Sequence, residues 1–217
     1  MSSFENKANG STFIQTQIKD RCETDRDLSF WRLSESTIQS VTLNNCRFNF
    51  CRSTDCRWQN LHLDHSLAEN AFFQNCNFDN LNSHTSFHTG SHFANCQFQE
   101  TVGELSSFGL CVFCHTKLNN SRLSEVSFIG SVWRDCEFNQ GNFNFVRFPA
   151  ALFVNTKFTN CTLRQAVFRA ATFLNCRFES CTLTESVFQD ARFTDTTFKN
   201  TDIHQAANLE GIRGLNL

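Results

Sequence analysis

Five residues, CVFCH at Cys111 to His115, match the C-x-x-C-H pattern in which two thiols anchor a c-type haem and the adjacent histidine ligates its iron. A second group, His84, His88 and His92 within HTSFHTGSH, has the four-residue spacing that gathers zinc ligands on one face of a helix. A third, the row Cys56, Cys76, Cys96, Cys136 and Cys176, falls at multiples of twenty and could form a metal or disulfide ladder. Each chemistry requires an element that brings its residues together. Gly90 and its Ser and Thr neighbours make a poor helix, so the three histidines are expected in an irregular stretch rather than on a shared face. Thr116, Thr156 and Thr196 occupy the same row as the cysteines, so that slot asks for a compact side chain and not for a ligand.

The element behind all three groups is a repeat. From Phe13 to Ile203 in steps of five, 33 of 39 positions are Phe, Leu, Ile or Trp, and 20 are Phe. The exceptions are Glu23, Ser53, Ala68, Ser83, His88 and Gly103. Two residues before each apolar position lies a slot for small residues, which holds ten of the 12 cysteines. A period of five suits neither a 3.6-residue helix nor a two-residue strand, and short fixed periods mark solenoids. The chain has 26 Phe and no Tyr, as expected where rings are buried without a partner for a hydroxyl.

The unit, a small residue, any residue, Phe or Leu, and two more, resembles the pentapeptide-repeat family over roughly residues 11 to 206, with NCRF and NCNF among its copies. The resemblance implies an all-β fold, a right-handed quadrilateral parallel β-helix (a β-solenoid) of about ten 20-residue coils. In that fold the large apolar residue and the small residue point inward. The sequence carries a 20-residue period of its own: Phe108, Phe128, Phe148, Phe168 and Phe188 form one row, and Leu123, Phe143, Leu163, Leu183 and Ile203 another. Residues 1–30 are expected to be an irregular cap and first coil, because Arg21, Glu23, Arg26 and Trp31 sit in inward slots meant for small or apolar residues. Residues 31–206 are expected to form the β-helix. In residues 207–217 the register slips by one, which implies a closing turn and a short apolar tail. Ser83, His88 and Gly103 mark the least regular part, where a bulged loop is expected. In this register Cys111 points inward, His115 turns a corner, and Cys114 points outward. One haem cannot bridge the two cysteines while the coil stays folded.

The residues flanking each core position face solvent. An apolar face is expected around Val112, Cys114, Val132, Leu152, Val154 and Leu174, and such a patch favours a protein interface or a homodimer. Charge is uneven along the chain. Between Trp58 and Thr116 lie the acids Asp64, Glu69, Asp79, Glu100 and Glu104 with no Lys or Arg, whereas Phe138 to Phe178 holds Arg147, Lys157, Arg164, Arg169 and Arg177 with no acid. A net charge of −2 excludes the basic balance of a general nucleic-acid binder. No apolar run reaches the length of a membrane span, and the N-terminus lacks the apolar core of a secretory signal; with 12 cysteines, a reducing cytoplasm is expected. A filled solenoid offers no pocket for catalysis, so neither an enzyme nor a cofactor is expected. Family members that confer quinolone resistance or toxin immunity bind DNA gyrase by imitating duplex DNA. The resemblance therefore implies binding to bacterial DNA gyrase or topoisomerase IV, with the five acids as the DNA-like charges. The other expectation is a scaffold or secreted effector that docks another protein through the apolar face.

Overall fold

Backbone geometry repeats every five residues. The structure, a computed structural model, describes residues 10–215. Thirty-six non-glycine residues, together with Gly10, Gly90 and Gly130, place a left-handed residue at every fifth position from 10 to 200. Asn and Asp recur there because their short polar side chains lower the cost of that region. Each such residue turns the chain through a corner, four corners close a 20-residue coil, and the middle residue of each side points inward.

Coils stack in strict register. The first wall is a ten-stranded parallel sheet running from Thr12–Ile14 to Arg192–Thr194, with partners always twenty residues apart, as in Val112↔Val132. The second wall runs from Gln17–Thr24 to Thr197–Lys199. Its first four strands, such as Arg57–Asp64 and Asn77–His84, continue around a corner into the third wall. The third wall then carries Val102–Glu104 and Arg122–Ser124, followed by single bridges at Asn142, Thr162 and Thr182. The fourth wall consists of single bridges from Asp27↔Arg47 to Val187↔Asn208. This is a quadrilateral β-solenoid of about nine turns, its first and second walls each ten strands deep, in keeping with the expected stack of about ten coils.

The core is a set of stacked rings. Phe148 lies 5.2 Å from Phe168 with planes 3° apart, and Phe113 lies 3.8 Å from Trp133. Each fully buried ring contributes roughly 1.5–3 kcal/mol of hydrophobic free energy. Tryptophan takes a ring slot where a serine can accept from its indole: Trp133 Nε1 donates to Ser131 Oγ at 2.8 Å, and Trp58 Nε1 to Ser53 Oγ at 3.2 Å. Buried cysteine thiols and threonine hydroxyls in the small slot act alike, both donating to backbone carbonyls. Cys136 Sγ reaches Phe113 O at 3.4 Å, and Thr116 Oγ1 reaches Phe93 O at 3.2 Å.

Three local expectations change. The bulge expected around residues 83–103 is absent, since Ser83 pairs with Gly103 and Phe87 with Ser107 in unbroken register. Smaller polar side chains fill that section instead: Ser83 Oγ lies 3.3 Å from His88 Nε2 and 3.2 Å from Ser106 Oγ, and His88 stacks on Phe108 at 4.3 Å. Gly103 leaves room for Leu123, whose Cδ2 would lie 2.8 Å from a Cβ there. Secondly, the residues of the first coil from Thr12 onward are regular and pair with the second coil, with Arg21, Glu23 and Arg26 half-buried and Trp31 buried; positions 1–9 of the expected cap lie outside the described residues. Thirdly, the slip begins earlier than position 207. The extra residue is taken up at the 3-10 turn Ile203–Gln205, after which partners are 21 apart, as in Arg192↔Arg213. Leu209, Ile212 and Leu215 then pack over the open end of the core. Gly214, with φ of 84°, crosses Phe193 O where a Cβ would come within 1.8 Å, so only glycine fits.

Candidate functional site

None of the three cysteine and histidine groups comes together as a ligand set. Ten cysteines are buried, Cys114 is half-buried and Cys22 is exposed. Burial pushes the Cys111 thiol up to about 12, and its Sγ donates to His88 O at 2.8 Å. Cys114 lies on the outer side of the same strand, Val112–Cys114, and His115 turns the corner with φ of 49°. The three histidines point in three directions. His88 is inward and neutral, its basicity lowered to about 4 by burial. His92 stands on the first wall beside Phe72, and His84 on the third wall beside Asp64.

The expected apolar face is assembled on the first wall as two adjoining columns. One reads Val112, Val132, Leu152, Thr172 and the other Cys114, Arg134, Val154, Leu174. Its apolar members are all half-buried, and Arg134 interrupts the second column.

The five acids are not gathered. Asp64 and Glu104 lie on the third wall with His84 between them, Glu69 on the fourth, Asp79 on the second and Glu100 at the corner after Gln97–Gln99. Elsewhere both signs share a column: Lys117, Glu137, Lys157 and Arg177 follow one another on the second wall, with Lys117 Nζ 3.1 Å from Glu137 Oε2. Glu179 lies 2.7 Å from Lys199 and 3.5 Å from Arg177, contacts that hold its carboxyl below the usual carboxylate range.

A more exposed apolar surface lies on the fourth wall and its two corners. Phe87, Leu105 and Phe145 run along one edge, Leu110 and Ile129 along the other, and all are 44% to 64% exposed. Ser107, Gly109, Ser127 and Gly130 lie between them and keep the wall low. Leu110 sits against Gly130, whose Cβ would fall 2.9 Å from Leu110 Cδ2, and Ile129 against Gly109. Leu105, Leu110 and Phe145 also hold corner positions, with φ of 51°, 56° and 61°. That region costs an L-residue on the order of 1–2 kcal/mol, and bulky side chains have no local hydrogen bond to offset it. At these residues exposure and strain both work against the amino acid present. Local conflicts of this kind collect at functional sites. The signal was present in the chain, as Leu and Phe at multiples of five where Asn and Asp are the rule.

Interior space is slight. Two voids of about 20 and 40 Å³ lie within the stacked core, room for a water molecule or two and not for a substrate. No helix among the described residues is long and apolar enough to cross a membrane.

The architecture is that of a β-solenoid whose chemistry lies on its outer walls. Residues 131–208 match the family model for a pentapeptide repeat region, and the same five-residue unit runs in register through the preceding coils. Comparison with curated proteins gives no match. Among solved structures the chain is similar to two trypsin-treated variants of QnrB1, a plasmid-mediated fluoroquinolone resistance protein. One is 15% identical, with 94% of this chain and 91% of that chain covered at a TM-score of 0.56. The other is 14% identical, with 90% of each chain covered at 0.60. HetL, a pentapeptide repeat protein involved in heterocyst differentiation regulation in the cyanobacterium Nostoc, is 12% identical over 91% of this chain and 90% of that chain at 0.39. At these identities the likeness to QnrB1 establishes a shared fold.

Proposed function

We propose that this protein is a non-catalytic interaction rod that binds bacterial DNA gyrase or topoisomerase IV, through the apolar fourth wall. The observation that carries the reading is the set Phe87, Leu105, Leu110, Ile129 and Phe145, exposed on one wall and partly held in left-handed corners. A surface that bears such a cost without a folding return fits a partner-binding role. The topoisomerase is the partner implied by the family resemblance, and QnrB1, which shares the fold, is a fluoroquinolone resistance protein. Charge favours apolar docking over imitation of DNA. Duplex DNA carries one charge per about 1.7 Å, whereas the five acids here are spread over three walls and a corner, and on the second wall Glu137 stands in a column between Lys117 and Lys157.

The test is gyrase supercoiling with and without a fluoroquinolone, at micromolar protein. Inhibition of supercoiling, or protection from the drug, is expected for the wild type and should be lost in Leu110→Asp/Ile129→Asp. No effect of the wild type removes the topoisomerase as partner. An effect unchanged by the double substitution removes the fourth wall as the contact.

A second reading, a scaffold or effector docking another protein, draws on the first wall. Its columns Val112, Val132, Leu152 and Cys114, Val154, Leu174 are continuous across three coils apart from Arg134, and are suited to homodimerisation.

A further inference from the structure

Asp64, His65 and His84 meet at the corner between the third and fourth walls. His65 Nδ1 and His84 Nδ1 each lie 2.9 Å from Asp64 Oδ1, and one ligating atom from each residue falls within 4.8 Å of the others. The three come from two successive coils, because Asp64 pairs with His84 in the parallel register. All three side chains remain open to solvent, so an ion can reach them without opening the fold. Glu104 holds the next rung of the same column, directly paired with His84.

We propose that Asp64, His65 and His84 form a divalent transition-metal site, taking Zn²⁺ or a similar imidazole-preferring ion, with Glu104 or water at a further position. Two imidazoles and one carboxylate are the mixed donor set that such ions take, and three protein ligands leave the coordination sphere open. A metal about 2.0–2.1 Å from an imidazole nitrogen and a carboxylate oxygen subtends about 90° across a 2.9 Å pair, within the range of an open site. Backbone positions need not move. The rungs are fixed by the sheet, and rotation of the exposed His65 ring closes the widest separation. Binding replaces the two hydrogen bonds to Asp64, so each ligating Nδ1 loses its proton or its ring turns to present Nε2, and acid competes with metal. The ion would join one coil to the next at a point two rungs along the corner from Leu105, beside the apolar fourth wall.

His88 and His92, four and eight residues after His84, stand on other walls, beyond the corner at Thr85. The pairing across twenty residues is what creates the site.

The experiment is calorimetric titration of the full-length protein, without a polyhistidine tag, with Zn²⁺ at neutral pH. Co²⁺ absorption follows as a report on ligand type. One equivalent should bind with micromolar affinity, and affinity should fall at least tenfold in His84→Ala and in Asp64→Asn, while His92→Ala, on the first wall, leaves it unchanged. Circular dichroism of the exposed-site variants confirms that the fold is intact. Absence of saturable binding below about 1 mM, or equal binding by His84→Ala, overturns the site and shows that the cluster is an ion pair only.

Discussion

Cys111 and Cys114 are three residues apart and should differ in thiol reactivity by at least a thousandfold. The perturbation is a small alkylating reagent, iodoacetamide at pH 8, applied to the native protein and read by peptide mass spectrometry over time. Burial raises the Cys111 thiol from about 9 to about 12, which reduces its thiolate population about 10³-fold relative to an ordinary thiol. Access adds to this, since Cys111 is fully buried and its Sγ is held by His88 O, so the reagent reaches it only when the mid-rod opens. Cys114 stands on the outer wall and Cys22 on the first coil, both open to reagent. Two cysteines should therefore label quickly, and the other ten only in denaturant. Cys96 makes a useful internal control. A hydrogen bond from Cys76 pulls its thiol below the usual value, yet it is fully buried, so its protection comes from access alone. Native labelling of Cys111 within tenfold of Cys114 would refute the register and, with it, the inward assignment of the whole small-residue slot.

His88 gives a pH signature. Its imidazole is neutral when folded, with its pKa lowered from 6.5 to about 4 by burial, so the unfolded chain takes up the proton first. Stability from this group is complete above pH 6.5 and is lost as pH falls toward 4, by up to about 3 kcal/mol. His88→Phe, which continues the ring stack on Phe108, should lose correspondingly less in urea melts at pH 4; equal losses would sink the assignment. Leu110→Asn should raise stability by about 0.5–1 kcal/mol, because Asn suits the left-handed corner, while weakening partner binding; a fall in melting temperature would show that Leu110 contributes to the fold. Val132→Asp/Leu152→Asp should lower the mass seen by light scattering if copies pair through the first wall, and an unchanged monomeric mass excludes that dimer.

The fold was legible because a period of five leaves few alternatives, and the core positions from Phe108 onward follow it without a break. Sites were less legible, for a geometric reason. A step of five residues turns the chain through one corner, so neighbours in sequence point in different directions. Asp64, Glu69 and Asp79 look like one acidic run, yet they stand on the third, fourth and second walls. Conversely, Asp64 and His84 are twenty apart and touch. The spacing of four in HTSFHTGSH has the form of a helical pattern that the corner at Thr85 rules out. At the C-terminal end the slip showed in the sequence, but its position did not, since Ile203 still holds a core slot while the extra residue enters just after it.

The unbroken 20-residue register makes length a discrete variable in this molecule. Excising twenty residues removes one storey of about 4.8 Å and leaves every remaining column joined to its own kind. Excising five preserves the core pattern but turns everything beyond the cut by a quarter, so that Leu110 and Ile129 would face where another wall's residues had been. Change by whole coils adjusts reach without altering which face meets a partner, whereas change by single repeats re-aims the far half against the near one.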